Sequence, residues 1–158
     1  MTADEIIFRL GLEPHPEGGW YRQTWAAKAE TGARPAGTCI YFLLKAGERS
    51  HWHRVDAAEI WHFYAGAPLT LRVAETAAGP AIARCLGPDL AAGQCPQLIV
   101  PTGHWQAAQT TGAWSLVGCT VSPGFRFEGF ELAAPGFDIP GREAEGAGGE
   151  GCAWKAGR

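Results

Sequence analysis

The chain has 158 residues, 46% of them hydrophobic and 18% charged, which gives it the apolar content for one folded core and excludes a disordered chain. Lys and Arg number 13 against 16 Asp and Glu, for a net charge of −3, so the basic excess of a general nucleic-acid binder is missing. No apolar run approaches the roughly 18 residues of a membrane span, and Met1-Thr2-Ala3-Asp4-Glu5 lacks the basic start of a secretory signal. The expectation is a cytoplasmic protein with neither nucleic acid nor membrane as partner.

In chain order, Thr2-Ala3-Asp4-Glu5 reads as a capping box, followed by an apolar stripe of Ile6, Ile7 and Leu10 and closed by Gly11. That predicts one short N-terminal helix. From residue 12 onward the helical period gives way to short β-type runs at 20–25, 38–45, 59–64, 69–75, 81–86, 97–100, 104–109, 115–121 and 127–132. Gly and Pro separate them, as in Ala65-Gly66-Ala67-Pro68 and Ser122-Pro123-Gly124. Such spacing predicts an antiparallel sandwich or barrel, and the lack of strand–helix alternation excludes a Rossmann or TIM arrangement.

Cys39, Cys85, Cys95, Cys119 and Cys152 are scattered with no C-x-x-C pair and read as small core residues. The runs Cys39-Ile40-Tyr41-Phe42-Leu43-Leu44 and Ile60-Trp61-His62-Phe63-Tyr64 are apolar on both alternate faces. One face can fill the barrel; the other needs cover, and a homodimer is the economical source of it. Domain organisation follows: a single domain over 1–140, then a Gly-rich tail over 141–158 with Trp154 as its one apolar anchor.

The chemistry concentrates between Gly47 and Gly66. In an extended strand His51 and His53 share a face, and a turn through 54–58 returns Glu59 beside them. Two imidazoles and a carboxylate suit Fe, Mn, Ni or Zn. Glu59, Trp61 and Phe63 alternate onto one face, while His62 and Trp105 point the other way. Glu17 and Arg22, in the composed stretch His15-Pro16-Glu17-Gly18-Gly19-Trp20-Tyr21-Arg22, read as ligand-binding residues at the barrel mouth.

The pattern of His51-x-His53, then Glu59, then Gly66, with Pro101-Thr102-Gly103-His104-Trp105-Gln106 after it, resembles the two motifs of the cupin superfamily. With the opening stretch, Ile40-Tyr41-Phe42-Leu43-Leu44 and Val121-Ser122-Pro123-Gly124-Phe125, the chain is similar over roughly 3–137 to one family of short cupins long listed as a domain of unknown function. The resemblance implies an all-β double-stranded β-helix, the cupin jelly-roll barrel, commonly dimeric, with a pocket at its mouth. It also implies metal ligands at His51, His53, Glu59 and, in the fourth-ligand position, Gln106. Two features depart from the cupin pattern: Gln106 stands where His is usual, and the His53–Glu59 gap is one residue longer.

Three functions follow as expectations. The first is a metal-dependent isomerase or oxygenase acting on a small polar or carbohydrate-like substrate, with His53 and Glu59 catalytic, Gln106 or His104 completing the metal's ligand set, and Trp61 and His104 near the ligand. The second is a metal-free enzyme resembling the dTDP-sugar epimerases, with His53 as base, Tyr41 as acid and Arg22 on phosphate. The third is a non-catalytic cupin that clasps a small molecule. No Walker loop, nicotinamide fingerprint or serine-hydrolase ordering is present.

Overall fold

The computed structural model describes residues 1–141. The tail read from the sequence, with Trp154 and Cys152, lies outside the described residues, except that Gly141 bridges to Ala81. The helix forms as its signals require. In α1 (Ala3–Leu10) the Glu5 N–H donates to Thr2 Oγ1 at 3.2 Å, and the Thr2 N–H donates to the Glu5 carboxylate at 2.7 Å. Gly11 takes the left-handed conformation that ends it, at φ 61°. Ile6 and Leu12 are buried against Leu43.

Eleven strands follow: β1 (Glu13–Pro14), β2 (Trp20–Ala26), β3 (Thr38–Lys45), β4 (Arg49–Val55), β5 (Ala58–Gly66), β6 (Leu69–Ala74), β7 (Ile82–Leu86), β8 (Gln97–Val100), β9 (Trp105–Thr110), β10 (Trp114–Ser122) and β11 (Phe130–Leu132). They build a six-stranded sheet in the order β1-β2-β3-β10-β5-β8 and a five-stranded sheet in the order β11-β4-β9-β6-β7. The fold is the all-β jelly-roll that the sequence predicts. Among the described residues no helix is long and apolar enough to cross a membrane.

The core lies between the sheets, where Phe42, Leu44, Trp61 and Val117 meet Leu69, Leu71 and Ala108, all nearly inaccessible. Each such large side chain contributes about 1.5–3 kcal/mol by leaving water. The two-sided apolar character of β3 has a partial answer within the chain, because α1 covers Leu43 on the outer face.

Two strands fall outside the nine sequence-read runs. β1 is only two residues long, and β4 is too polar to read as an apolar run. The polarity of β4 is what matters for the pocket. Along β4 and β9, Arg49 pairs with Gln109 and Ser50 with Ala108, but the next pair is His53 with Gln106, so the register slips between them. Trp52 turns to the outer face of the sheet, packed with Trp105 and Ile139, and its indole N–H donates to Asp138 at 2.8 Å. The run read as one strand at 127–132 is a 3-10 turn (Phe127–Gly129) leading into β11.

Candidate functional site

Between the sheets, at one end of the barrel, is a cavity of about 250 Å³. Its polar wall is formed by Glu17, His53 and Glu59 with His15, Tyr21 and Cys119, and Phe125, Phe127 and Phe130 stand around it.

Glu17 arrives on the turn between β1 and β2. The Gly18 N–H donates to the His15 carbonyl, the His15 N–H to the Gly19 carbonyl, and the His51 N–H to the Glu17 carbonyl. Gly18 and Gly19 have φ of 104° and 74°, where a side chain is strained. A Cβ on Gly18 would also collide with the Arg49 carbonyl. The turn therefore pushes one carboxyl into the barrel, where the Ser50 hydroxyl donates to Glu17 Oε1 at 2.8 Å.

The imidazole of His53 faces the other oxygen, with Nε2 3.2 Å from Glu17 Oε2. Its Nδ1 lies 2.7 Å from the His51 carbonyl, which can only accept, so Nδ1 carries the proton. His15 Nδ1 lies 3.5 Å from the same Glu17 oxygen. From the opposite sheet comes Glu59, and the two sheets are tied here by a chain of hydrogen bonds. The Trp61 indole N–H donates to Gln106 Oε1 at 2.8 Å, which fixes the amide so that Gln106 Nε2 donates to Glu59 Oε2 at 2.6 Å.

Burial sets the proton balance. It pushes the Glu17 carboxyl up to about 8 against the pull of the Ser50 hydroxyl, and it raises Glu59 against the pull of His53 and Gln106. It lowers His53, and it lowers His15 to about 4 with help from His53. Near neutrality the Glu17–His53 contact is a carboxylic acid donating to a neutral imidazole. Burial also holds the neighbouring Cys119 thiol well above its ordinary value.

The structure brings together His53, Glu59, Gln106 and Glu17 from the sequence-predicted set, with Trp61 directly beneath them. It does not bring in the others. His51 was expected to share a face with His53, but the register slip turns it outward, where its Nε2 lies 2.9 Å from the Ala134 carbonyl. Arg22 is exposed and pairs along the strand with Tyr41, whose ring packs edge-on to Tyr64 at 6.0 Å on the outer face. His104 lines a different cavity, near β7 and β8. His62 lies on the opposite face from Glu59, as expected, 3.0 Å from Thr120 Oγ1.

A divalent metal needs several donors converging on one point. Among the described residues no three of His, Cys, Asp and Glu are so placed. Gln106 spends its one good donor atom, the carbonyl oxygen, on Trp61, and turns N–H toward Glu59. As arranged, these side chains do not fit a metal.

His15, Tyr21, Cys119 and the three phenylalanines were not singled out from the sequence. Parity along β2 would have placed Tyr21, not Arg22, on the inner face once Trp20 was known to pack with α1. The inward side of Cys119 follows from its pairing with Trp61.

The family model described as Cupin superfamily (DUF985) matches residues 4–133. No curated protein matches the chain. A crystal structure of a Shewanella oneidensis protein is 44% identical, with 85% of each chain covered and a TM-score of 0.79. A hypothetical protein from Leishmania major is 33% identical, over 84% of this chain and 88% of that one, with a TM-score of 0.76. Oxalate decarboxylase from Bacillus subtilis, 13% identical over 76% of this chain and 29% of that one, has a TM-score of 0.59 and is alike in fold alone.

Proposed function

The chain belongs to the cupin superfamily, in the family described as DUF985, and from that premise we propose that its cavity is the site of a small-molecule enzyme that moves a proton without a metal. The observation that carries this reading is the pairing of Glu17 with His53 at 3.2 Å, opposite a second carboxyl, Glu59, held by Gln106. One side of the cavity offers an acid, the Glu17 O–H backed by the His53 imidazole. The other offers Glu59, which acts as the base in its ionised form, the form that the Gln106 amide donor favours against burial. A substrate between them can lose a proton to Glu59 and gain one from Glu17, the pattern of an isomerase, epimerase or tautomerase.

The sugar-nucleotide version of this chemistry has less support. Arg22 and Tyr41, expected on phosphate and as acid, both lie on the outer face, and the cavity lining among the described residues contains no Lys or Arg. We infer also that the protein works as a homodimer through the outer face of the six-stranded sheet.

The test is solvent deuterium exchange followed by NMR, with small aryl ketones and hydroxyketones as carbon acids. Protein-dependent exchange should fall by about 10²–10⁴-fold in Glu59→Gln, and a chelator should leave the parent unchanged. Exchange that a chelator abolishes and Mn²⁺ restores would return the metal-dependent reading. Bound ligand with no exchange for any member would leave a binding protein.

A further inference from the structure

We propose that this cavity takes a small organic cation, a primary ammonium on a single aryl ring or short apolar body. The inference rests on reading the cavity as the ligand pocket, not on the proton transfer itself. Two carboxyls, Glu17 and Glu59, line it, and their hydrogen-bond donors, the Ser50 hydroxyl and the Gln106 amide, carry no charge. Burying an ionised carboxyl with neutral donors alone is costly, which is why burial favours the protonated acids, and a cation brought by the ligand would stabilise the ionised form in its place.

Three arginines that adjoin lining residues in sequence or bond to their neighbours are committed to other groups. Arg34 makes two bonds to Asp56, at 3.1 and 2.6 Å, and a third to the Gly124 carbonyl. Arg126 also reaches Asp56, at 3.3 Å, and Arg54 is held by Glu131 at 2.6 Å. Among the described residues the lining therefore offers an anionic ligand no countercharge, and such a ligand is disfavoured beside the two carboxyls.

The rest of the wall suits the other half of such a ligand. Phe125, Phe127 and Phe130 stand edge-on to one another at centroid distances of 5.1, 5.8 and 6.2 Å. Each edge-on pair covers only one face of one ring, although Phe130 also packs with His15 and His53, and an uncovered ring face attracts an ammonium or packs an aryl body. The burial that keeps His15 and His53 neutral withholds positive charge from the wall as well. A volume of about 250 Å³ is below the roughly 300–1,000 Å³ of drug-sized pockets, which limits the body to one ring or its equivalent.

The experiment is calorimetric titration of the full chain at neutral pH with phenethylamine, 2-phenylethanol and phenylacetate, which share a body and differ in charge. The amine should bind at least tenfold more tightly than the alcohol, and phenylacetate should show no saturable binding. Glu59→Gln should narrow the gap between amine and alcohol. Because that variant can perturb a buried network, Phe127→Ala is the second probe: the residue is 55% exposed, so the parent melting temperature should persist while amine affinity falls several-fold. Alcohol or acid binding as tightly as amine, binding by none of the three, or Mn²⁺ binding that excludes the amine would each overturn the proposal. Amine preference without deuterium exchange removes the catalytic reading and leaves this one standing; exchange without that preference does the reverse.

Discussion

Glu17 enters the barrel with one hydroxyl donor and no cation, and its high carboxyl pKa is a statement about stability as well as chemistry. A carboxyl raised from 4.5 to about 8 on folding contributes stability that is whole below pH 4.5 and is lost as pH climbs through 8. His15 runs the other way. Lowered from 6.5 to about 4, it contributes stability that is whole above pH 6.5 and is lost as pH falls toward 4. Between 4.5 and 6.5 the two slopes oppose each other. From 6.5 to 8 the carboxyl acts unopposed, at about 1.4 kcal/mol per pH unit. Glu59, raised, and His53, lowered, repeat the same opposition. Urea unfolding across pH 5 to 9 should show a plateau followed by a decline above 6.5, and Glu17→Gln should shallow that decline. A variant with the parent's slope would show that Glu17 is not the group responsible.

The turn that delivers Glu17 is the element on which the cavity depends, and its glycines make it testable. Gly18→Ala places a Cβ against the Arg49 carbonyl at a backbone angle that disfavours any side chain. The variant should lose on the order of 1–3 kcal/mol by denaturant unfolding and should also lose ligand binding, since Glu17 moves with the turn. Gly32→Ala is the comparison: its φ is 80°, but its Cβ would meet nothing within 4 Å, so it should be destabilised less and keep its ligand. Loss of stability with unchanged binding in Gly18→Ala would separate the turn from the site.

At this scale the sequence was legible where alternation holds. It placed His53, Glu59 and Gln106 together and put His62 and Trp105 on the outside, because the strands carrying them keep their period through those positions. It misplaced His51 because Trp52 finds a buried seat with Trp105 and Ile139, and seating it shifts the register of β4. Nothing within the motif announces that slip; the cause sits more than 80 residues away, at Asp138 and Ile139. The role of Gln106 escaped for the same kind of reason. Its position was readable, but the Trp61 indole that decides which end of the amide faces Glu59 comes from the other sheet.

Among the described residues, nothing covers one broad surface of the molecule. Helix α1 covers the outer face of β3 at Leu43, and Tyr41 packs against that cluster, but Ile60, His62, Tyr64 and Thr120 lie outside it on the same face. Tyr64 lies over Gly118, where any Cβ would strike its ring, and is still 48% exposed; Ile99, on the edge strand β8, is 41% exposed. Aromatic side chains with a polar tip are what interface cores select. A stable dimer needs roughly 800 Å² from each partner, and a face spanning β3, β10, β5 and β8 is broad enough to supply it. Light scattering at micromolar concentration should therefore report a dimer, twice the 16.8 kDa of one chain. Tyr64→Glu should return monomers with an unchanged fold by circular dichroism, because the new charge lies on the surface rather than in the core. The cavity opens on the other side of this sheet, so the monomeric variant should still bind the parent's ligand. A parent that scatters as a monomer, or a Tyr64→Glu variant that stays dimeric, would place the contact elsewhere or remove it.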